Sequence, residues 1–419
     1  MSVNNILNIN EDVYFDSRLV KKEIHSHYPY LTTSYNYNDE IRIPVQQQDN
    51  YTLPSESFIY IEGVISGFTP TKTWIDNNGF LFLFSEIRYE LCGIEIDASK
   101  RPGVTSLMKN YVSFDSQAHD LNEISGWHPF TDTPNADIVH TTANSISSFN
   151  VCIPLNKIIG FAEDYRKILV NVKQELILRR ANNDKNVFYS KEAATAAPKI
   201  DIKKVVWKMP YITLADMEKY KILQHVQHNS PITMAFRNWD LYEHPSLPTG
   251  TSSEIWLIKS STLLERPRFL IFGFQTGKKE KYDSFASRFD TMSLKKLNVY
   301  LNQQKWPYDD LNVSFTDGKF TILYDMMSKF REVYYDHQEG NAIGGVSPGM
   351  SLSKFKKYAP LIFIDCSKQN ETLKTGTIEV KVEIESSESF PADTSLFCLI
   401  IHDRIVTYYP LSNEVKIIM

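Results

Sequence analysis

The sequence predicts an antiparallel all-β fold split into two bodies of similar size. Three observations carry this. Val, Ile, Phe, Tyr and Thr recur in short runs of strand length, separated by Gly, Pro, Asn and Asp clusters. Helical patterns are few and short, and none alternates regularly with strands, which disfavours a parallel α/β sheet. At 419 residues the chain holds two or three domains of roughly 100–200 residues each.

The elements follow in order. Phe58 to Gly63 predicts a strand, and Asp76-Asn77-Asn78-Gly79 a tight turn, because Asn-Gly tolerates positive φ. Phe80 to Phe84 is expected to follow as a strand buried on both faces. Ser85 to Cys92 alternates polar and apolar, the pattern of a sheet with one solvated or partnered face. Lys167 to Leu178 alternates in the same way. Val104 to Phe114 predicts a helix with Leu107, Met108 and Tyr111 on one face. Leu214 to Val226 predicts a second, with Asp216 capping its start and Tyr220, Ile222 and Leu223 packing inward. Leu323 to Tyr335 and Ser351 to Tyr358 are further helical segments.

A boundary is expected near Leu214. The long strand Ile200 to Met209 precedes it, and Pro231 to Arg237 opens a new strand series. The halves are 1–213 and 214–419, a duplication of structure without a visible sequence repeat. Asn182 to Lys199 and Gly340 to Gly349 are polar, longer than hairpin turns, and predict exposed functional loops.

Composition removes several classes. Aromatics reach 13% and charged residues 23%, the opposite of a disordered chain. The formal charge of -5 argues against a nucleic-acid-coating protein. Cys92, Cys152, Cys366 and Cys398 form no CxxC pair and sit in or beside apolar runs, so buried free thiols in a reducing compartment are expected, not zinc or disulfides. The N-terminal stretch has no basic region and no apolar run of signal length. No window approaches the ~20 apolar residues of a membrane helix.

The search for chemistry finds fragments. His25 and His27 share a strand face but have no third metal ligand nearby. His225 and His228 lie one helical turn apart, without acidic company. In His402-Asp403-Arg404, neighbours on a strand point to opposite faces, so no dyad forms, and a strand-edge turn is expected. Glu163-Asp164 and Asp309-Asp310 are carboxylate pairs of the kind glycosidases use, although a solvated loop is the simpler reading. Gly344-Gly345 lacks the Lys-Ser/Thr of a phosphate loop. Arg179-Arg180 and Lys278-Lys279 read as surface doublets, and Asn50, Asn312 and Asn370 as unused glycosylation sequons. No catalytic residues, metal site or cofactor are expected, and the chain is read as structural, not as an enzyme.

Several segments then fall into a familiar order. Ser85 to Asp97 (SEIRYELCGIEID) resembles an early strand of viral double jelly-roll capsid proteins. Ile153-Pro154-Leu155 followed by Lys167 to Leu178 is similar to their "PL, loop, long strand" passage. Trp207 to Tyr220 (WKMPYITLADMEKY) looks like their crossing between rolls, and Glu254 to Ile258 like a second-roll strand with a central Trp. Leu297 to Asn302 and Gly376 to Val380 match later strands. The resemblance runs from about Ile24 to Ile418. It points to major capsid proteins of nucleocytoplasmic large DNA viruses, of Polinton- and adintovirus-like elements, and to double jelly-roll-like proteins of arthropod genomes. One departure is Ile94, where the large-virus turn has a second Gly.

The resemblance implies two tandem eight-stranded antiparallel jelly rolls with a few short helices, their strands perpendicular to a shell. It implies a homotrimer that forms a pseudo-hexagonal capsomer of an icosahedral capsid, in a DNA virus or an endogenous viral element. Capsomers would meet one another, penton or minor capsid proteins and an internal membrane nearby, but no specific nucleic acid. The protein would reside in the virion after synthesis in host cytoplasm or nucleus. The loops 182–199 and 340–349 would form an outer tower, and the tyrosine-rich strand Tyr28 to Tyr37 would offer interface area. The alternatives are a carbohydrate-binding or carbohydrate-active jelly-roll protein and a domesticated capsid-like scaffold.

Overall fold

A computed structural model describes residues 18–30, 34–46, 51–69, 72–133, 138–141, 147–191, 197–258, 266–302, 304–335, 349–368 and 378–418. Sixteen strands carry the architecture. The first eight are β1 (Leu19–His27), β2 (Glu40–Val45), β3 (Phe58–Ser66), β4 (Phe84–Leu91), β5 (Ile94–Lys100), β6 (Ser147–Pro154), β7 (Gln174–Arg180) and β8 (Lys199–Leu214). The second eight are β9 (Ile232–His244), β10 (Ser253–Ile258), β11 (Pro267–Thr276), β12 (Leu294–Leu301), β13 (Gln304–Trp306), β14 (Ile362–Asp365), β15 (Val380–Ser386) and β16 (Thr394–Tyr409).

Among the described residues every strand pairing is antiparallel. In the first half the two sheets run β1-β8-β3-β6 and β2-β7-β4-β5. In the second they run β9-β16-β11-β14 and β10-β15-β12-β13. Each strand of the second half takes the place of the strand eight earlier in the first. The order is that of a jelly roll, so the chain is a double jelly roll. Short strands trim the sheets: Tyr51–Thr52, Val139–Thr141, Glu414–Ile417, and the pair Thr73–Ile75 with Phe188–Ser190.

Alternation sets the cores. β4 buries Ile87, Tyr89 and Leu91 and turns Glu86, Arg88 and Glu90 outward, as its sequence predicts. β15 does the same with Val380, Val382 and Ile384. β11 from Phe269 to Phe274 and β16 from Leu396 to Ile401 are buried throughout, which is why those stretches read as apolar runs.

Among the described residues seven α-helices fill the connections: α1 (Pro102–Ser113), α2 (Ser116–Leu121), α3 (Gly160–Asp164), α4 (Asp216–Gln227), α5 (Thr321–Ser328), α6 (Phe330–Tyr335) and α7 (Leu352–Tyr358). Among the described residues no helix is long and apolar enough to cross a membrane. The cores are shared across the two halves. Leu107, Met108, Tyr111 and Trp127 pack into the cluster of the second roll. Met234, Phe236, Val406 and Tyr408 pack into that of the first.

The structure corrects several expectations. Gly79–Leu83 is a 3-10 helix rather than a strand, entered through Asn78 in the left-handed region at φ 61°. Its apolar run is buried by depth, not by sheet pairing. Strand β7 begins only at Gln174; of the preceding stretch, Leu169 makes an isolated bridge to Thr52. The segment 182–199 is no simple exposed loop. Asp184 ties it to Arg180, and Val187 and Phe188 are buried before Phe188–Ser190 pairs with Thr73–Ile75. Of the stretch Tyr28 to Tyr37, the described residues 28–30 and 34–37 form no strand, since β1 ends at His27. The segment 340–349 lies outside the described residues apart from Gly349. Asp216 does not cap α4, whose N-cap is Ala215, and Tyr220 and Leu223 are exposed; only Ile222 packs, against Tyr51, Leu53 and Ile212.

Candidate functional site

The most elaborate polar arrangement joins the two halves. Lys109 of α1 is fully buried. Its Nζ donates to Glu163 Oε1 at 2.9 Å and to Ser113 Oγ at 2.8 Å. It also lies 4.3 Å from the ring centre of Tyr334 and 4.7 Å from that of Trp239. Glu163, in α3, accepts from the hydroxyls of Tyr334 (2.7 Å) and Tyr335 (2.6 Å) of α6. Its neighbour Asp164 takes a forked pair from Arg237 of β9, Nη2 at 2.6 Å and Nε at 2.8 Å, plus the Arg237 backbone N–H at 2.8 Å. Arg237 stacks 3.5 Å over Tyr334. First-half helices α1 and α3 are thereby bonded to second-half elements β9 and α6.

Such burial is tolerable because each charge has an opposite partner and further hydrogen bonds. Burial pulls the Lys109 ammonium down from its ordinary range and Glu163 opposes that pull. Burial first, then the nearby Glu163, pushes the Tyr334 and Tyr335 phenols well up, so they stay protonated donors.

Backbone contact is equally close. A Cβ on Gly160, the first residue of α3, would lie 1.6 Å from the Arg237 carbonyl oxygen, so only glycine lets α3 reach β9. Beside it, Asp97 of β5 accepts the Phe161 N–H at 2.7 Å, and burial raises its carboxyl to about 7. Arg404 of β16 donates to the Ile96 carbonyl at 3.0 Å. Farther along, Asp76 accepts from Ser287 N (2.8 Å) and Ser287 Oγ (2.5 Å), and burial raises it to about 6. Arg288 and Lys357 both reach Asp132, at 2.7 and 2.9 Å.

The residues singled out by sequence scatter over the molecule. His25 and His27 flank Tyr211, whose hydroxyl lies 3.1 Å from His27 Nε2. His225 and His228 close the exposed helix α4. His402-Asp403-Arg404 lies inside β16 rather than at a turn. His402 faces Asp240 at 2.8 Å, whereas Asp403 faces Arg268 at 2.7 Å. Asp310 is held at the surface by Lys296 and Lys305. Arg180 is not a surface residue; it is buried on Asp184 and the Leu83 carbonyl. Glu163-Asp164, expected in a solvated loop, forms the centre of the seam. Its doublet gave no signal of this, because the partners Lys109, Arg237, Tyr334 and Tyr335 lie 54 to 172 residues away. The four cysteines are free thiols. Among the described residues no group of three or more His, Cys, Asp and Glu is placed to hold a metal.

The outer surface carries apolar side chains in places. On β1, Leu19, Val20 and Ile24 are 51%, 66% and 58% exposed. Met217, Tyr220 and Leu223 stand out from α4, and Ile255 and Leu257 from β10. Tyr308, just past β13, is 88% exposed.

The arrangement holds a structural seam and offers broad surfaces for contact. Comparison with known proteins agrees with that architecture. No curated protein matches the chain in sequence. The fold is similar to the Sputnik virophage structure determined by cryo-electron microscopy, at 10% identity and TM-score 0.63, covering all of this chain and 92% of that one. It is similar to a chain of the PBCV-1 virus capsid at 12% identity and TM-score 0.61, covering 98% and 99%. The crystallographic mavirus major capsid protein follows at 11% identity and TM-score 0.57, covering 98% and 92%. Residues 73–406 match the double jelly roll-like domain family, and the chain belongs to that family.

Proposed function

We propose that this double jelly roll protein is a major capsid protein. Three copies close into a pseudo-hexagonal capsomer, and capsomers tile an icosahedral shell of a DNA virus or endogenous viral element. The observation that carries the reading is the duplicated strand order combined with the buried seam. Two equivalent rolls are fixed side by side as one block by the Lys109–Glu163 and Arg237–Asp164 pairs. A shell tile needs that rigidity, and fold relatives described as virus capsid proteins support the assignment. The two rolls are divided at residues 213 and 214. The partners are copies of the chain itself, with penton or minor capsid proteins at the vertices, and the destination is the virion.

Mass photometry tests this. The purified protein is expected to run at roughly three times 48.4 kDa, and raised salt should leave it assembled, since screening weakens exposed ion pairs far more than apolar burial. Electron microscopy at high concentration should show shells or capsomer arrays. A monomer at micromolar concentration, with no particles, overturns the reading.

A further inference from the structure

A cavity of about 440 Å³ opens where the two rolls meet, beside the start of α1. That volume is in the range of small-molecule sites. Its floor is apolar and comes from both halves: Phe82 and Phe84 from the first roll, Phe397 of β16 from the second. Phe84 and Phe397 are buried and Phe82 is half-buried. The Phe82 ring rests on α1 because Gly103 has no side chain; a Cβ there would lie 2.5 Å from a ring carbon.

The rim is cationic. Arg101 at the head of α1, Arg179 of β7 and Lys279 after β11 line it, against one lining acid, Glu280. Arg101 and Lys279 share a single carboxylate, Glu243 of β9. Arg179 makes no ion pair among the described residues. Its cross-strand neighbours, Glu40 and Glu86, are engaged by Arg42 and Arg88. Three cations therefore face two acids. Burial holds both Arg101 and Lys279 below their ordinary ranges; Arg101 adds to the effect on Lys279, and Glu280 opposes it at both. No side chain caps α1, whose first turn lines the same wall through Gly103 and Val104. Two other cavities differ in kind. One of about 420 Å³ beside Cys92 has a single charged residue, Lys173, and no aromatic ring in its lining. The other, at Phe58, carries an acid, Glu56. Neither pairs rings with cations.

We propose that this cavity binds a small amphipathic anion, a carboxylate or sulfonate head on an apolar body. The head sits among Arg101, Arg179 and Lys279, and the body lies on the phenylalanine floor. Guanidinium groups suit such a head, because they offer parallel N–H donors to two oxygens at once. An anion there supplies the negative charge that the rim lacks. Both rolls contribute to the floor and to the rim, so an occupant ties them together at the head of α1. Every residue involved belongs to one chain, and the site requires no assembly.

The test uses the full chain and anilinonaphthalene sulfonate, an aromatic anion that fluoresces on leaving water. The wild type is expected to bind it saturably and to gain thermal midpoint, as a ligand of the folded state produces. Sodium decanoate should displace the probe, and decyltrimethylammonium should not. Arg179→Glu with Lys279→Glu, both at exposed positions, should weaken binding by about tenfold or more. Arg179→Gln with Lys279→Gln is the milder second variant, with a loss of about fivefold. Ser85→Trp, exposed on the rim, should fill the cavity and also abolish uptake. Tyr220→Ser with Leu223→Ser strips exposed apolar surface from α4 and should leave binding unchanged. Circular dichroism identifies the variants that keep the fold. The proposal is overturned if a folded wild type shows no saturable uptake, or if binding survives both the charge changes and Ser85→Trp. It is equally overturned if binding falls with the α4 pair or yields equally to the cationic amphiphile.

Discussion

Helices α1 and α4 are each twelve residues long, yet they have opposite fates. Every residue of α1 is buried, Lys109 and Asn110 included, whereas α4 buries none. Composition points the same way, because α1 carries one charged residue, Lys109, while α4 carries Asp216, Glu218, Lys219 and Lys221; what composition does not show is that Lys109 and Asn110 are buried as well. The difference is one of place. Helix α1 leaves β5 and runs between the two rolls, so that both its faces meet protein. Helix α4 links β8 to β9 along the outside, and only Ile222 finds a partner cluster. The polar residues of α1 are buried by where the rolls meet, because that is where Lys109 finds Glu163 and Ser113.

The comparison is open to direct attack. The largest effect is expected at Lys109. Lys109→Ala leaves Glu163 in the seam without its cation, and breaking a buried pair in this way costs about 3–5 kcal/mol. Denaturant unfolding measures it; a loss below 1 kcal/mol would show that the seam is not what fixes α1. Next comes Gly160→Ala, which forces α3 away from the Arg237 carbonyl. Overpacking of this kind costs about 1–3 kcal/mol, and the cost should appear as a lower thermal midpoint. An unchanged midpoint would mean that β9 yields freely.

A third prediction concerns pH. The Asp97 carboxyl, next to α3, is raised to about 7 by burial, with Asp240 adding to the rise and Arg404 and His402 opposing it. A raised carboxyl favours the protonated folded state. Its contribution is complete below the unfolded value of about 4 and is lost as pH climbs to about 7. The urea midpoint should accordingly fall between about pH 4 and pH 7 in the wild type, and Asp97→Asn should flatten that fall. The smallest effect belongs to α4. Leu223→Ser, at a 45% exposed position, should change stability by under about 0.5 kcal/mol. A larger loss in the isolated chain would place α4 in a contact that the fold does not show.

Strand alternation was legible wherever one face meets a core and the other meets water, as in β4 with Glu86, Arg88 and Glu90 outward. It failed in two settings. Phe80 to Leu83 is apolar because it lies deep beside Phe149, and depth does not distinguish a 3-10 turn from a strand. The stretch 182–199 looks like a loop because its ordering contacts, Arg180 to Asp184 and Phe188 to Ile75, depend on folding back onto the roll. The seam was illegible for the same reason. Glu163-Asp164 is an unremarkable acidic doublet until α1, β9 and α6 converge on it.

The sequence by itself determined the class of fold, the strand density, the positions of α1, α4, the α5–α6 segment and α7 within a few residues, but not α2 or α3, and the resemblance that leads to the double jelly roll. Those properties are local: alternation, turn residues and short apolar runs act over neighbours along the chain. Only the tertiary structure decided which helix is interior, which charges are buried and which edges stay free. Burial and ion pairing depend on distances between residues far apart in sequence, and those distances exist only once both rolls are formed and set against each other.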